Sequence, residues 1–319
     1  MKNDRRVLAG FLILVFAASL FLVQRESSSP PGEAGLHPQN GSTLSTGVNE
    51  TGDNGSLVQI TADGVDFEEE STGFVECPPA VQVKSQYYQS GLEHLVNFTL
   101  FLNGTPKANV TLEGVEGKYF CIPDGVVVHS YYPGEWRSFM AMFDYNLTPL
   151  WAEKYSGLPK MYRNRSIILR DEGCLYFVSV KTGRLRERVC VYEYISHFKF
   201  VGERLYITAA HLKGRAHLYV FEDNTMREVS IINISTFELA GIRMPLDVNE
   251  KYIAVAYFLY PTDGAEKNGV CIFKKDTLEK IACKEFEEWD RPLKVKLEGD
   301  TVYVQTTKGV KAYKITAPW

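Results

Sequence analysis

The stretch that decides the fold is CLYFVSVKTGRLRERVC, residues 174–190, together with its counterpart CIFKKDTLEKIAC, residues 271–283. Each stretch begins and ends with cysteine, alternates with the period of a half-buried strand, and carries a threonine at its midpoint, Thr182 or Thr277. Two residues equidistant from a hairpin turn lie opposite each other on neighbouring strands, within reach of a disulfide. Both stretches are therefore predicted to be disulfide-bridged β-hairpins.

The same strand and turn pattern recurs along the chain after residue 80. Its marker turns fall at Thr105, Asn146, Thr182, Thr225, Thr277 and Thr316. Their mean spacing is about 42 residues, which is the length of a four-stranded blade. The predicted fold is all-β, a six-bladed β-propeller. Five blades plus N-terminal strands is the alternative.

The last repeat ends after three strands, and SLVQI, residues 56–60, has no blade of its own. Because propellers often join the two chain ends in one blade to remove an exposed sheet edge, we expect this strand to complete the last blade. The predicted blades span residues 78–114, 117–154, 158–193, 196–232, 243–286, and 292–319 with 56–61.

Two cysteines remain outside the hairpins, Cys77 and Cys121, and they are expected to pair by elimination. An even cysteine count fits a disulfide framework in an exported chain. The alternative is six free buried thiols. A metal site is not expected, because the sequence has no Cys-x-x-Cys or His-x-x-x-His cluster.

The N-terminus reads as a membrane segment. Lys2, Arg5 and Arg6 precede an apolar run over residues 7–23, so the chain after it is expected outside the cell. We predict a signal-anchor over residues 1–24, a flexible stalk over 25–55 and a propeller ectodomain over 56–319. Cleavage near residues 17–19, which would release a secreted protein, is the alternative.

The composition limits the partners that the chain can have. The net charge of −4 and the pI of about 5.9 leave no basic stripe for a nucleic acid. Nine Asn-x-Ser/Thr sequons predict glycosylation of an exported chain. They lie at Asn40, Asn49, Asn54, Asn97, Asn103, Asn109, Asn146, Asn164 and Asn233.

The marker hairpins LYFVSVKTGRL and CIFKKDTLEKI, with Gly-Asp or Asn-Glu turns before the second strand, resemble the PQQ-like and WD40-like propeller superfamily. The chain is similar to the anchored or secreted propeller proteins of hyperthermophilic archaea. It departs from the superfamily in two marks. Its Trp-Asp dipeptide, Trp289-Asp290, lies between blades, and it has no vicinal cysteine pair to stack on a quinone. The resemblance therefore implies a fold and no cofactor, because fold does not imply function.

The two ends of such a propeller differ in this sequence. One end carries tight turns, among them the sequons at Asn103, Asn146 and Asn164, and the other carries longer loops rich in aromatic and basic residues. Exposed Tyr, Trp and Arg are typical of binding hot spots. The predicted binding residues are Tyr87, Tyr88, Tyr131, Tyr132, Trp136, Arg137, His211, Lys213, Arg215, Tyr260, Trp289 and Arg291. In the alternative interpretation, these side chains plug the funnel or pack between blades.

Enzyme motifs are scarce: the sequence has no Gly-x-Ser-x-Gly elbow and no His-Glu-x-x-His. The main hypothesis is a cell-surface binding or scaffolding propeller that holds a protein, peptide or glycan of the envelope. One alternative is a polysaccharide hydrolase or lyase that uses two funnel carboxylates; another is an assembly factor for an envelope complex. The carboxylates considered are Glu135, Glu153, Asp171, Glu172, Asp263, Glu266, Glu287, Glu288 and Asp290.

Overall fold

The structure is a computed structural model that describes residues 55–316, apart from 63, 68–70, 212–214, 224, 234–238 and 263–264. The predicted signal-anchor, nearly all of the predicted stalk and the sequons at Asn40, Asn49 and Asn54 lie outside the described residues. In the part that is described, no helix has the length and apolarity needed to cross a membrane.

The described residues form 24 strands in six antiparallel sheets. Strand β1 is Ser56–Ile60. Sheet 1 contains β2 (Val81–Ser90), β3 (Glu93–Leu102) and β4 (Thr105–Glu113). Sheet 2 contains β5 (Glu116–Ile122), β6 (Gly125–Tyr131), β7 (Arg137–Phe143) and β8 (Pro149–Ser156). Sheet 3 contains β9 (Leu158–Arg163), β10 (Ser166–Arg170), β11 (Cys174–Ser179) and β12 (Leu185–Cys190).

The second half of the chain repeats this plan. Sheet 4 contains β13 (Tyr194–Val201), β14 (Arg204–His211), β15 (Arg215–Glu222) and β16 (Thr225–Asn233). Sheet 5 contains β17 (Leu239–Arg243), β18 (Leu246–Val248), β19 (Tyr252–Pro261), β20 (Lys267–Lys274) and β21 (Lys280–Glu285). Sheet 6 contains β22 (Pro292–Glu298), β23 (Thr301–Thr306) and β24 (Gly309–Thr316), with β1 paired to β24.

Apolar side chains fill the space between consecutive sheets. Phe98 of sheet 1 and Val128 of sheet 2 belong to one buried cluster, and four similar clusters join each later sheet to the next, up to sheet 6. Sheets 1 to 5 are meanders whose strands follow in chain order, and in sheet 6 the same meander of β22, β23 and β24 is extended by β1. Consecutive four-stranded meanders packed face to face are the architecture of a β-propeller.

The predicted closure of the last sheet is confirmed. Strand β1 pairs with β24 in antiparallel register, from Ser56 opposite Thr316 to Ile60 opposite Ala312. The hydroxyls of Ser56 and Thr316 are 2.5 Å apart at the end of this ladder. Sheet 6 therefore has its four strands only because a segment from the start of the domain supplies the outer one.

Sheet 1 departs from the prediction of four strands, because it has three. The residues that precede β2 turn to sheet 2: Val75 donates its backbone N–H to the carbonyl of Cys121 in β5, at 2.9 Å. The Cys77–Cys121 disulfide fixes the same approach. Among the described residues no strand takes the position of a first strand beside β2, and most of β2 is exposed. Sheet 5 also differs, since its first strand is split into β17 and β18 around Pro245, a residue without a backbone N–H.

The second face of sheet 1 is polar. None of the side chains that face away from sheet 2 is buried, and among them are Asn97 and Asn109, both sequon asparagines, with Thr99 and Thr111 of the same sequons. The opposite face carries Val96, Phe98 and Leu100, which are buried. The alternation of the strands therefore separates a packed face from a face on which N-glycans have room.

The three predicted disulfides are confirmed. Cys174 lies directly opposite Cys190, and Cys271 directly opposite Cys283, with Cα–Cα distances of 4.1 Å in each pair. Cys77 and Cys121 form the third bridge, with a Cα–Cα distance of 5.2 Å. The alternative of free thiols is wrong for all six cysteines.

Candidate functional site at the long-loop end

The strand order sorts the connections into two ends. Turns after the first and third strands of a four-stranded sheet lie at one end, and all other connections lie at the opposite end. The exposed sequon residues Asn146 and Asn164 lie in tight turns of the first kind, at what we call the tight-turn end. The exposed Asn103 lies at the same end, because in sheet 1, which lacks a first strand among the described residues, the β3–β4 turn takes the place of the turn after a third strand. The opposite end, here the long-loop end, carries the predicted binding residues.

Several of these residues lie in strands, although the sequence placed them in loops. Tyr87 and Tyr88 belong to β2, which meets β3 through a two-residue turn, and Tyr260 belongs to β19. The prediction that Tyr87 and Tyr88 lie in a long loop is therefore wrong. The pleat separates the two tyrosines, because successive strand residues face opposite sides of a sheet. Tyr87 faces sheet 2, and Tyr88 lies on the polar face of sheet 1.

The first group of site residues joins sheets 1 and 2. Tyr87 bonds through its hydroxyl to Nδ1 of His94 at 2.6 Å, and the edge of the His94 ring meets the ring of Tyr132 at 6.1 Å. Tyr132 donates to Glu113 at 3.2 Å and lies 5.6 Å below the guanidinium of Arg137. Burial, followed by the charge of Glu113, raises the pKa of Tyr132. This group is a connected polar and aromatic surface.

The second group joins sheets 2 and 3. Tyr131 donates a short hydrogen bond to Glu116, stacks on His129 at 5.6 Å and lies 5.1 Å below Nζ of Lys118. The half-buried indole of Trp136 lies 5.8 Å from the guanidinium of Arg170 in sheet 3. Two of the predicted residues, Tyr131 and Trp136, thus border a set of basic side chains.

The third group joins sheets 5 and 6 and surrounds Arg291. Its guanidinium lies 4.7 Å from the ring of Phe258, 6.0 Å from Tyr260 and 4.9 Å from Trp289. Arg291 also pairs with Glu266 at 2.9 Å, and the side chain of Glu266 is 1% exposed. We call this group the arginine cage. The three predicted residues contact one another through Arg291, while Trp289 and Tyr260 remain 56% and 39% exposed.

The remaining predicted residues are more scattered. His211 ends β14 and is half-buried, while Arg215 begins β15 opposite it and is exposed. Lys213 lies outside the described residues. The structure therefore brings eight of the twelve predicted residues into three groups, and it leaves Tyr88, His211 and Arg215 outside them.

The carboxylates that an enzyme would need are largely engaged. Burial raises the pKa of Glu266. Hydrogen bonds from Asn268, Arg291 and the Trp289 amide together lower it by more, so that the net shift is downward. Asp290 behaves in the same way, with Lys311 2.8 Å away. A general acid requires a raised pKa, which neither of these two buried carboxyls has.

Sequence reasoning did not select Lys118, Lys160, His129, Arg170 or His94. The strand segments EGKYFCI and LPKMYR contain a signal that could have revealed the two lysines, since each lysine lies within the first strand of its sheet, next to large apolar or aromatic residues. His129 lies within GVVVHSY, where six of seven residues are buried. In the described ranges no group of three or more His, Cys, Asp or Glu could hold a metal ion.

Comparison with known proteins gives structural likeness only. No family model matches the chain, and no curated protein sequence matches it. Among solved structures, it resembles BamB from Moraxella catarrhalis, with 9% identity, 73% of this chain and 98% of that chain covered, and a TM-score of 0.28. It also resembles Sqt1 of Saccharomyces cerevisiae, with 7% identity, 69% and 67% coverage, and a TM-score of 0.41. A europium-containing methanol dehydrogenase matches with 11% identity and a TM-score of 0.41; 70% of this chain covers half of that protein.

Proposed function

We propose that this chain is a partner-binding β-propeller of the cell surface that holds a protein, peptide or glycan of the envelope at its long-loop end. The observation that carries the proposal is the concentration of exposed or half-buried aromatic and cationic side chains across sheets 1 to 3 at that end. Tyr87, Tyr132 and Arg137 form one part of this surface, and Tyr131 and Trp136 form the other. Aromatic and arginine side chains supply most of the energy of binding surfaces.

The sequons support the same orientation. Glycans on Asn103, Asn146 and Asn164 would occupy the tight-turn end, and glycans on Asn97 and Asn109 would cover the polar face of sheet 1. A bulky partner then has free access from the long-loop end. Glycosylation itself, and an outward-facing domain held by a signal-anchor over residues 1–24, are parts of the proposal.

The test compares two sets of variants of the full chain, displayed on its own cells and crosslinked to neighbouring envelope components. Trp136→Ala with Arg137→Ala should weaken recovery of the crosslinked partner by tenfold or more, because both side chains belong to the proposed surface. Changing Asn103, Asn146 and Asn164 to Asp should leave recovery unchanged, because Asp tolerates the same backbone conformations. Loss of the partner in the Asp variants, with retention in the Trp136 and Arg137 variant, would place the binding surface at the opposite end.

A further inference from the structure

Four basic groups lie at the long-loop end of sheets 2 and 3: Lys118, His129, Lys160 and Arg170. We call them the basic cluster. Lys118 and His129 are direct cross-strand neighbours on β5 and β6, so their side chains emerge side by side from the same face of sheet 2. That face packs against sheet 3, as its neighbours Phe120 and Val127 show.

Sheet 3 supplies the other two members. Met161 pairs with Ile168 and Pro159 pairs with Leu169, so Lys160 is the extra residue of a β-bulge in β9. A bulge re-aims the side chain that it carries and is a common device beside functional sites. Arg170 ends β10 and donates from Nη1 to the carbonyl of Ser196 at 2.8 Å, while its guanidinium faces Trp136.

The charges of the cluster act on one another. Burial is the main cause that lowers the pKa of Lys160, and the charges of Arg170 and Lys118 lower it further. Burial, assisted by Lys118 and Lys160, lowers the pKa of His129 to about 4. Among the described residues, one carboxylate acts on this cluster, that of Glu116, which accepts a hydrogen bond from Tyr131. The pKa of Lys118 is raised mainly by its hydrogen bond with Tyr131, and the charge of Glu116 adds a smaller effect in the same direction. Among the described residues, no carboxylate acts in this way on the positive charges of Lys160 and Arg170.

Two buried nitrogen atoms of the cluster lack a hydrogen-bond partner. They are Nδ1 of His129, a residue that is 6% exposed, and Nε of Arg170. Buried polar atoms are nearly always hydrogen-bonded, and each exception requires an explanation. A bound anion would offset the repulsion between the cations of the cluster. It could also accept hydrogen bonds from donors that lack a partner.

We propose that the basic cluster binds an anionic group, a carboxylate or a phosphate, of a ligand that enters from the long-loop end. Lys118, Lys160 and Arg170 would supply the charge, and Tyr131 and Trp136 would contact the part of the ligand next to its anionic group. This inference deepens the proposed function, because it names the chemistry by which the partner is held. It can nevertheless be tested without the partner.

The test uses the purified full chain in detergent, labelled with ¹⁵N at histidine. Inorganic phosphate and glucuronate are titrated in parallel, at an ionic strength held constant with sodium chloride, and the ring nitrogens of His129 are identified by their loss in His129→Gln. We expect a saturable shift of the His129 signals by at least one of the two anions, with a Kd on the order of 1 mM. A response to phosphate alone or to glucuronate alone distinguishes the two sources of the charge.

Two methionine variants decide whether the cluster is responsible. Lys160→Met keeps the aliphatic stem and should weaken the anion at least tenfold, because it removes a charge-assisted contact. Lys154→Met is the matched control. Lys154 lies on β8 of sheet 2, 5.3 Å from the ring of Phe139, and its removal should leave anion binding as it is in the unmodified chain.

Thermal unfolding in chloride gives an independent readout. Lys160→Met should raise the melting temperature, since it relieves repulsion in the empty site, whereas loss of a purely structural lysine would lower it. The proposal is overturned if neither anion shifts His129, or if Lys160→Met binds as tightly as the control. If the chain binds an anion but no partner is recovered by crosslinking, the proposed function is refuted and this inference is not. If the partner is still recovered with Lys160→Met, this inference is refuted and the proposed function is not.

Discussion

Val75 donates its backbone N–H to the carbonyl of Cys121 over 2.9 Å, so the chain that leads into sheet 1 is bonded to sheet 2. The Cys77–Cys121 disulfide, two residues further on, makes this attachment covalent. The two contacts explain why sheet 1 lacks a fourth strand. They also make the bridge a connection between sheets, whereas the other two disulfides each join strands of one sheet.

Removing this bridge should cost more stability than removing either hairpin bridge. In the chain-entropy treatment, its sequence separation of 44 corresponds to about 4 kcal/mol. The separations of 16 and 12 in the hairpins correspond to about 3 kcal/mol each. We expect this order when Cys77→Ala/Cys121→Ala is compared with the two hairpin double variants by urea unfolding. Equal losses in all three would show that the inter-sheet bridge has no special role.

The buried imidazole of His129 predicts a pH dependence of stability. Its pKa falls to about 4 in the folded chain, against an ordinary value of 6.5, so the unfolded state binds the proton more readily between these values. Stability contributed by neutral His129 is therefore present above pH 6.5 and is lost as the pH falls toward 4. The linkage amounts to about 2 kcal/mol between pH 7 and pH 5. Urea unfolding at both pH values should show this loss, and His129→Gln should remove most of it.

The Asp290–Lys311 pair predicts an asymmetric response to mutation. The Asp290 side chain is 1% exposed and Lys311 is 25% exposed, so only the lysine can reach water when its partner is removed. Lys311→Met should therefore cost about 3 kcal/mol and Asp290→Asn clearly less, as measured by chemical denaturation. If Asp290→Asn proves the more damaging change, the lysine is the member that depends on the pair.

The same pair predicts part of the acid limit of stability. Burial opposes the shift, but the hydrogen bonds and charge of Lys311 lower the pKa of Asp290 below its ordinary value. Its contribution is then complete above an unfolded pKa of about 4 and disappears as the pH falls through the lower folded value. The stability of Asp290→Asn should decline less steeply below pH 4 than that of the unmodified chain. The prediction is contradicted if the free energy of unfolding falls equally steeply below pH 4 in the two proteins.

Two glycines separate backbone conformation from packing. Gly183 and Gly104 both lie in hairpin turns with positive φ, 69° and 75°. A Cβ on Gly183 would come within 2.8 Å of the Trp151 ring, whereas a Cβ on Gly104 would meet nothing within 4 Å. Alanine at Gly104 should cost about 1 kcal/mol, the conformational part alone, and alanine at Gly183 clearly more. Similar unfolding free energies for the two variants would mean that Trp151 moves aside freely.

The features predicted from sequence are those that depend on local pattern. The hairpins around Thr182 and Thr277 were predictable because strand alternation and two equidistant cysteines specify the same register. The closing role of residues 56–60 followed from counting the strands of the last repeat. The three-stranded form of sheet 1 in the described residues was not predicted, although the Cys77–Cys121 bridge was, because strand periodicity does not record that Val75 bonds to Cys121 of sheet 2.

The candidate site was predictable only in part, for a physical reason. Exposed aromatic residues can be recognised by type, and Tyr131 and Trp136 were selected in this way. Lys118 and Lys160 belong to strands whose apolar and aromatic residues indicate a buried position. What distinguishes the two lysines is that they come from different sheets and their charges act on each other and on His129. Tyr260, Trp289 and Arg291 were also selected by type, and the sequence did not indicate that Arg291 would lie against both aromatic rings.

The union of β1 with β24 has a consequence for how the domain is made. Ser56 and Thr316 are 260 residues apart in the chain, so the final ladder closes the longest loop of the fold. Contacts of such separation form late, because the entropy of closing the loop is lost before the contacts compensate for it. During synthesis the first five sheets can form and pack while β1 has no partner. We expect the pairing of β1 to be the last and slowest step of folding, and the interval before it to be the time when the unpaired edge of sheet 6 is most open to aggregation.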